Sequence, residues 1–280
     1  MAVELGTVAP VGFENFASPR WASLMRSLGC TTAQVYRNRD GNDASHSGVV
    51  TIGQIREYLD LAQLPCDSLH AFYGNDLDIS VPNDQARQVA VEVMQDEGRL
   101  ALALGGPIVV VHCSGIFPEN LTPEEHRVRR SCLRQSIDEL GRFGQANGVR
   151  YAFENLPPYH AIGSDVAELA EILREVDSPA AGMCFDIAHA NLAGNPVEAI
   201  AQAGERIIYT HVCDNLGRVD DHLLPFTGRI DFQAAADALR EVRYDGVLMI
   251  ETFCDVDELA KLVDQGIGEK ISQFLARVRG

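Results

Sequence analysis

A chain of 280 residues holds one large domain or two small ones, and 46% hydrophobic against 22% charged residues is the balance of a folded protein. Forty acidic side chains against 23 basic ones leave a net charge of −17, which repels nucleic acid and anionic membrane unless a local basic patch overcomes it. No apolar run reaches the ~18 residues that span a bilayer. The N-terminus lacks the basic-then-apolar pattern of a signal peptide, and the seven cysteines include no Cys-x-x-Cys, so the expectation is a cytoplasmic protein with free thiols.

In chain order, short apolar runs alternate with amphipathic stretches. The sequence predicts a strand over 3–8, a helix over 19–28, a strand over 32–36 and a helix over 52–64. A strand at 68–72 and a helix at 84–104 follow, then a strand at 108–112 and a helix at 123–146. The next pairs are 150–154 with 166–176, 181–186 with 196–203, and 207–212 with 232–242. A strand at 247–252 and a helix at 256–278 close the chain. Thr122-Pro123-Glu124-Glu125 is a helix cap followed by proline and acids in the first turn, and Gly29, Gly105 and Gly148 fall where helices should stop.

Most strands are apolar throughout, as in Ile108-Val109-Val110-Val111 and Val247-Leu248-Met249-Ile250, which is the pattern of parallel strands covered on both faces. Eight βα units in this length match a (β/α)8 TIM barrel, read as one domain over 1–280. The first strand is followed by Ala9-Pro10-Val11-Gly12, with no Gly-x-Gly-x-x-Gly for a dinucleotide.

The chemistry lies in what ends each strand. His70, His112 and Glu154 end the third to fifth strands. Asp186 ends the sixth, with His189 one turn beyond. His211 ends the seventh, whose loop carries Asp220 and His222, and Glu251 ends the eighth. Taken singly, each reads as a hydrogen-bonded core histidine or a helix cap. Six successive strands ending alike converge on the C-terminal face, where barrels build their sites. Carboxylates packed there repel one another, and a divalent cation is the simplest compensation. Oxygen and nitrogen donors without thiolate suit Mn2+, Mg2+, Co2+, Zn2+ or Fe2+.

At these residues the sequence resembles the xylose-isomerase-like barrel superfamily, which contains ketose epimerases, sugar isomerases, inosose dehydratases and the endonuclease IV nucleases. The matching stretches are Val109-Val110-Val111-His112, Phe153-Glu154-Asn155-Leu156, Cys184-Phe185-Asp186-Ile187-Ala188-His189, Thr210-His211-Val212-Cys213-Asp214-Asn215, Asp220-Asp221-His222-Leu223-Leu224-Pro225 and Ile250-Glu251. In the sugar-acting branch the resemblance implies one divalent metal held by Glu154, Asp186, His211 and Glu251. Glu154 and Glu251 double as the acid/base pair, working through a metal-stabilised cis-enediolate of a small sugar or related polyhydroxy carbonyl compound. His189 and Arg218 would bind substrate, with His70, His112 and His222 beside them. A dehydratase or lyase acting on an inosose or keto-sugar is an alternative on the same residues. The nuclease branch is another: it implies three Zn2+ at an apurinic-site phosphodiesterase centre, with His70, His112, His189, Asp220 and His222 as further ligands. Charge weighs against DNA, since phosphate contacts need lysine and arginine. The family also implies a possible homo-oligomer.

Three loop features complete the reading. Trp21 and Phe16 are core or an apolar pocket wall. The polar segment 38–48, with His46, is a lid or a surface excursion. Pro157-Pro158-Tyr159-His160 stiffens the mouth.

Overall fold

Parallel pairing of neighbouring apolar runs generates the architecture. In the computed structural model, eight strands follow one another round a closed barrel in sequence order. The structure describes residues 3–11, 18–37, 50–117 and 121–280; Phe16, His46 and the segment 38–48 lie outside them. The strands are β1 (Glu4–Val11), β2 (Thr32–Arg37), β3 (Cys66–His70), β4 (Ile108–His112), β5 (Arg150–Glu154), β6 (Ala181–Asp186), β7 (Ile207–Val212) and β8 (Val247–Ile250). β8 closes on β1, Glu4 pairing with Val247. The register sets His112 beside Glu154 and Asp186 beside His211, so the polar strand ends share one level.

The helices α1 (Pro19–Ser27), α2 (Ile52–Ala62), α3 (Asp84–Leu104), α4 (Pro123–Asn147) and α5 (Val166–Val176) lie where periodicity predicts them. Thr122 forms a capping box with Glu125 at the start of α4, and Gly105 and Gly148 end α3 and α4 in the left-handed conformation. A short helix, α6 (Ile187–Ala193), follows β6 directly and precedes α7 (Pro196–Ala203) and α8 (Phe232–Glu241). The predicted last helix is two, α9 (Val256–Asp264) and α10 (Ile267–Arg279), because Gly266 between them has φ +84°. Among the described residues no helix is long and apolar enough to cross a membrane.

Side chains alternate along each strand. Val109, Val111, Phe153 and Phe185 face the helices in the main core with Trp21, which is 0% exposed and so is core rather than pocket wall. Val110, Ala152, Cys184, Tyr209 and Met249 form a separate cluster that fills the barrel interior. The Tyr209 and Ser68 hydroxyls meet there at 2.6 Å. Directly above this plug the polar residues begin.

Candidate active site

Alternation carries the strands from plug to site in steps of two: Ser68 to His70, Val110 to His112, Ala152 to Glu154, Cys184 to Asp186, Tyr209 to His211 and Met249 to Glu251. They open into a cavity of about 500 Å3 whose lining includes His70, His112, Glu154, His189, His222 and Glu251.

At its base, ligand atoms of Glu154, Asp186, His211 and Glu251 all lie within 4.8 Å of one another. His211 Nδ1 is 2.9 Å from Glu154 Oε1, 3.0 Å from Glu251 Oε2 and 3.9 Å from Asp186 Oδ2. Its Nε2 donates to Gln34 Oε1 at 3.0 Å. An amide oxygen only accepts, so this bond leaves Nδ1 as the nitrogen that can give a lone pair to a cation. Gln34, 0% exposed on β2, had no assigned role in the sequence, where nothing in Thr32-Ala33-Gln34-Val35-Tyr36-Arg37 marks it out.

Two further groups flank this one: His70, His112 and Glu154 on one side, and His189, Asp220 and His222 on the other. His70 Nε2 and His112 Nε2 lie 3.5 and 3.3 Å from Glu154 Oε2. Asp220 Oδ2 receives His189 Nε2 at 3.1 Å and His222 Nε2 at 3.0 Å. His189 is held by its other nitrogen, which donates to the Asn155 carbonyl at 2.8 Å. The Asn155 side chain brackets Asp186, accepting from its N–H at 2.8 Å and donating to its carbonyl at 3.0 Å. Asp186 Oδ1 in turn caps α6 by accepting from His189 N at 2.6 Å. His222 sits at φ +45°, a left-handed conformation uncommon outside glycine and of the kind stored at functional sites.

The β7–α8 loop that carries Asp220 and His222 is pinned by Asp214, whose carboxylate accepts the N–H groups of Asn215, Gly228, Arg229 and Ile230. A Cβ at Gly228 would meet Asp214 Oδ1 at 2.3 Å, so only glycine permits that closure.

The electrostatics are those of a crowded ionic nest. Burial alone would raise the Glu154 carboxyl, but the charge of His211 and hydrogen bonds from His112, His211 and His70 hold it well below the usual range. Burial likewise opposes ionisation of Glu251, and His211 and His222 bring it down to about 2. Asp186 goes the other way, raised to about 6 by burial and by the neighbouring Glu154 and Glu251 charges. Burial disfavours charge on His189 and His222, yet the acids lift them to about 10 and about 9. His112, desolvated, falls to about 4.

Several polar atoms in this nest are buried without a hydrogen-bond partner: Glu154 Oε2, Glu251 Oε2, Asp220 Oδ1, His222 Nδ1 and His112 Nδ1. The two glutamate oxygens face only imidazole ion pairs of 3.0 to 3.7 Å, and a bound cation would take the place of the protons those imidazoles carry. The donors therefore fit a divalent metal. Cys184 and Cys213 also come within reach of the groups, but burial pushes the Cys184 thiol up to about 12 and Cys213 well above its ordinary value, so both stay neutral.

Arg218 is not brought to the site: it is exposed and does not line the cavity. The chain turns at Gly217, φ +77°, and residues 216–219 point into solvent. The sequence left Tyr36, Tyr73 and Phe253 unassigned and read Tyr159 and His160 only as stiffening the mouth; all five line the outer cavity.

A family model described as xylose isomerase-like TIM barrel matches residues 22–273. An uncharacterised protein of Methanocaldococcus jannaschii is 34% identical over 187 residues, covering 65% of this chain and 63% of that protein. An inosose isomerase of Bacillus subtilis is 27% identical over 143 residues, 48% of this chain and 51% of the enzyme. The matches thus span under two thirds of these relatives' own length. Among solved structures, a D-tagatose 3-epimerase-like protein is 25% identical with a TM-score of 0.74, covering 96% of this chain and 99% of its own. An L-ribulose 3-epimerase, 21% identical, has a TM-score of 0.74 over 98% and 96% of the two chains, a likeness of fold.

Proposed function

Because the chain belongs to the xylose isomerase-like TIM barrel family, we propose that it is a divalent-metal-dependent isomerase or epimerase of a small sugar or related polyhydroxy carbonyl compound. The observation that carries this reading is the approach of Glu154, Asp186, His211 and Glu251 within 4.8 Å, with one buried oxygen of each glutamate facing only imidazole ion pairs. Sugar-epimerase and inosose-isomerase relatives support it.

Those four residues would hold one Mn2+, Mg2+, Co2+ or Zn2+. The ion, when bound, would neutralise the acids and draw charge onto a carbonyl and its neighbouring hydroxyl, acidifying the adjacent carbon. Glu154 and Glu251 are the proton carriers. Both are held ionised at neutral pH, so one can take the carbon-bound proton while the C–H pair moves onto the carbonyl as an enediolate. Return of that proton by the same glutamate to the neighbouring carbon, with the hydroxyl proton passing to the former carbonyl oxygen, is isomerisation. Inversion at the original carbon needs the opposite glutamate to enter the cycle protonated. His189 lines the cavity and would bond a substrate oxygen by turning its Nε2–H from Asp220 Oδ2 to the substrate. Expulsion of a β-hydroxyl after the same proton abstraction would make the enzyme a dehydratase or lyase.

A second reading is favoured by the two flanking groups, His70–His112–Glu154 and His189–Asp220–His222. They would complete three Zn2+ for phosphodiester hydrolysis at an abasic site. The chain's charge of −17 opposes DNA binding.

Metal analysis of protein purified without chelator, followed by solvent deuterium uptake into a panel of ketoses and inososes, tests the choice. One ion per chain with carbon-bound deuterium supports the sugar enzyme. Three zinc ions with incision of abasic DNA would replace it.

A further inference from the structure

A second cavity, of about 640 Å3, lies outside the barrel between the β7–α8 loop, the start of α8 and α10. That is the size of a small-molecule site, roughly 300–1,000 Å3. Its floor is aromatic: Phe226, Phe232 and Phe274 pack ring against ring, with centroids 4.9, 5.6 and 6.2 Å apart. Arg229, Lys270 and Arg277 stand round that floor, and among the described residues no acid lines the cavity.

Such a charge is unusual in this chain, where 40 acids face 23 bases and Lys270 is one of only two lysines. Several arginines elsewhere have their acids, as Arg20 has Asp257 and Arg130 has Glu171 and Glu175. Among the described residues no carboxylate pairs with Arg229 or Lys270. Asp237 pairs with Arg277 but also with Arg240 at 2.8 Å, so that corner keeps a positive excess. Asp231 turns its carboxylate to the N–H groups of Gln233 and Ala234. The active-site cavity is the opposite: Glu154, Asp220 and Glu251 line it, and among the described residues no lysine or arginine does. An anion is repelled there and attracted here.

The wall of the second cavity is also the clasp of the active-site loop. Gly228, Arg229 and Ile230 line it, and Asp214 holds the N–H of each at 2.7 to 3.1 Å. Asp220 and His222 hang on the loop that this clasp closes. The same loop carries His222 at φ +45° and Phe226 at φ +72°. The other described non-glycine residues with positive φ, Gln63, Asp177 and Arg243, stand at helix ends, where that conformation is ordinary. Strain is thus held at two points of one short segment, one in each cavity.

We propose that the second cavity binds an aromatic phosphate ester and that its occupancy sets the position of the loop bearing Asp220 and His222. The ring would lie on the phenylalanine floor, and the phosphoryl oxygens would accept from Arg229, Lys270 and Arg277. A ligand seated on Phe226 and Arg229 bears on the backbone that Asp214 ties. The active-site loop then answers to a molecule that never enters the active site. Binding of this kind holds whichever reaction the chain catalyses.

The test titrates the whole chain, by calorimetry, with AMP, phenyl phosphate, adenosine and inorganic phosphate. AMP or phenyl phosphate should bind about tenfold or more tighter than adenosine and inorganic phosphate, each of which supplies half of the contacts. Lys270→Glu and Arg229→Ala should each weaken that binding about tenfold or more. Hydrogen–deuterium exchange at the amides of Asn215, Gly228, Arg229 and Ile230 should slow severalfold with the ester bound, and stay unchanged in Lys270→Glu. Inorganic phosphate binding as tightly as the esters overturns the proposal in favour of a bare charged patch. Ester binding that survives both substitutions lies elsewhere in the molecule and overturns it too. Saturation without any change in amide exchange removes the control of the loop. No binding by any probe at millimolar concentration overturns the site; a solution mass lowered by Lys270→Glu then assigns this face to contact between copies.

Discussion

Two layers of the barrel interior, separated by two residues on the same strands, differ in every physical respect. The lower one, Val110, Ala152, Cys184, Tyr209 and Met249, is apolar apart from a hydroxyl that finds its partner. The upper one, His112, Glu154, Asp186, His211 and Glu251, is ionic, and it leaves buried oxygens and nitrogens without hydrogen-bond partners. The strands that bury the first are the strands that aim the second. Close packing below makes the strand ends rigid, and rigidity above lets acids and imidazoles remain crowded instead of relaxing apart.

The largest expected break in that comparison is chemical. Glu251→Gln keeps shape and removes the base, so deuterium exchange into substrate should fall on the order of a thousandfold or more, with an unchanged circular dichroism spectrum. Full activity in this variant would sink the proton-transfer scheme. Gln34→Ala frees the His211 ring and should weaken metal affinity about 10- to 100-fold, read by titration against a competing chelator. Restoration by Gln34→Glu, which keeps the acceptor, separates positioning from mere packing.

Loading of the flanking groups has its own signature. In the metal-free protein His189 and His222 hold protons up to about pH 10 and 9, so ions at those sites must displace them. Calorimetry in buffers of different ionisation enthalpy should show extra proton release at pH 7.5 if three ions bind. Release that His222→Ala leaves unaltered would confine the metal to the base of the cavity.

Smaller effects should appear in stability. The Asp186 carboxyl, raised from 3.8 to about 6, is stabilised by its proton. That stabilisation is fully present below pH 3.8 and is lost as pH rises through 6. Asp186→Asn retains the cap on α6 and never pays this penalty. It should stabilise the metal-free fold at pH 7 by on the order of 2 kcal/mol, while depriving a metal of one ligand. Thermal melts from pH 4 to 7 check the sign: the gap between variant and parent should widen with pH. In the lower layer, Tyr209→Phe should cost about 1 kcal/mol and leave exchange activity unchanged, since the hydroxyl it deletes bonds Ser68 beneath the ionic layer and does not line the cavity.

Much of this arrangement was legible because strands alternate and barrels place function at strand ends. His70, His112, Glu154, Asp186, His211 and Glu251 could be named from the ends of apolar runs, and Asp220 and His222 from their motif. Gln34 could not. Its meaning depends on register against His211, 177 residues away in sequence. Tyr73 and His160 stand on loops, whose shape no periodicity encodes. Arg218 shows the converse error: a basic residue in the right loop, turned outward at Gly217. The divided last helix was hidden because Ile267, Ile271 and Phe274 continue the apolar period across the Gly266 break.

The Asp214 clasp has an evolutionary consequence. One carboxylate ties the chain at Asn215 to the chain at Gly228, Arg229 and Ile230, so the segment between leaves and rejoins the barrel at nearly a single point. To the rest of the fold such a segment is a cassette. Its length and content can be exchanged with little strain on β7 or α8, and Asp220 and His222 travel with it. One scaffold can in this way gain or shed an entire set of ligands through a single loop replacement, without revising the barrel beneath.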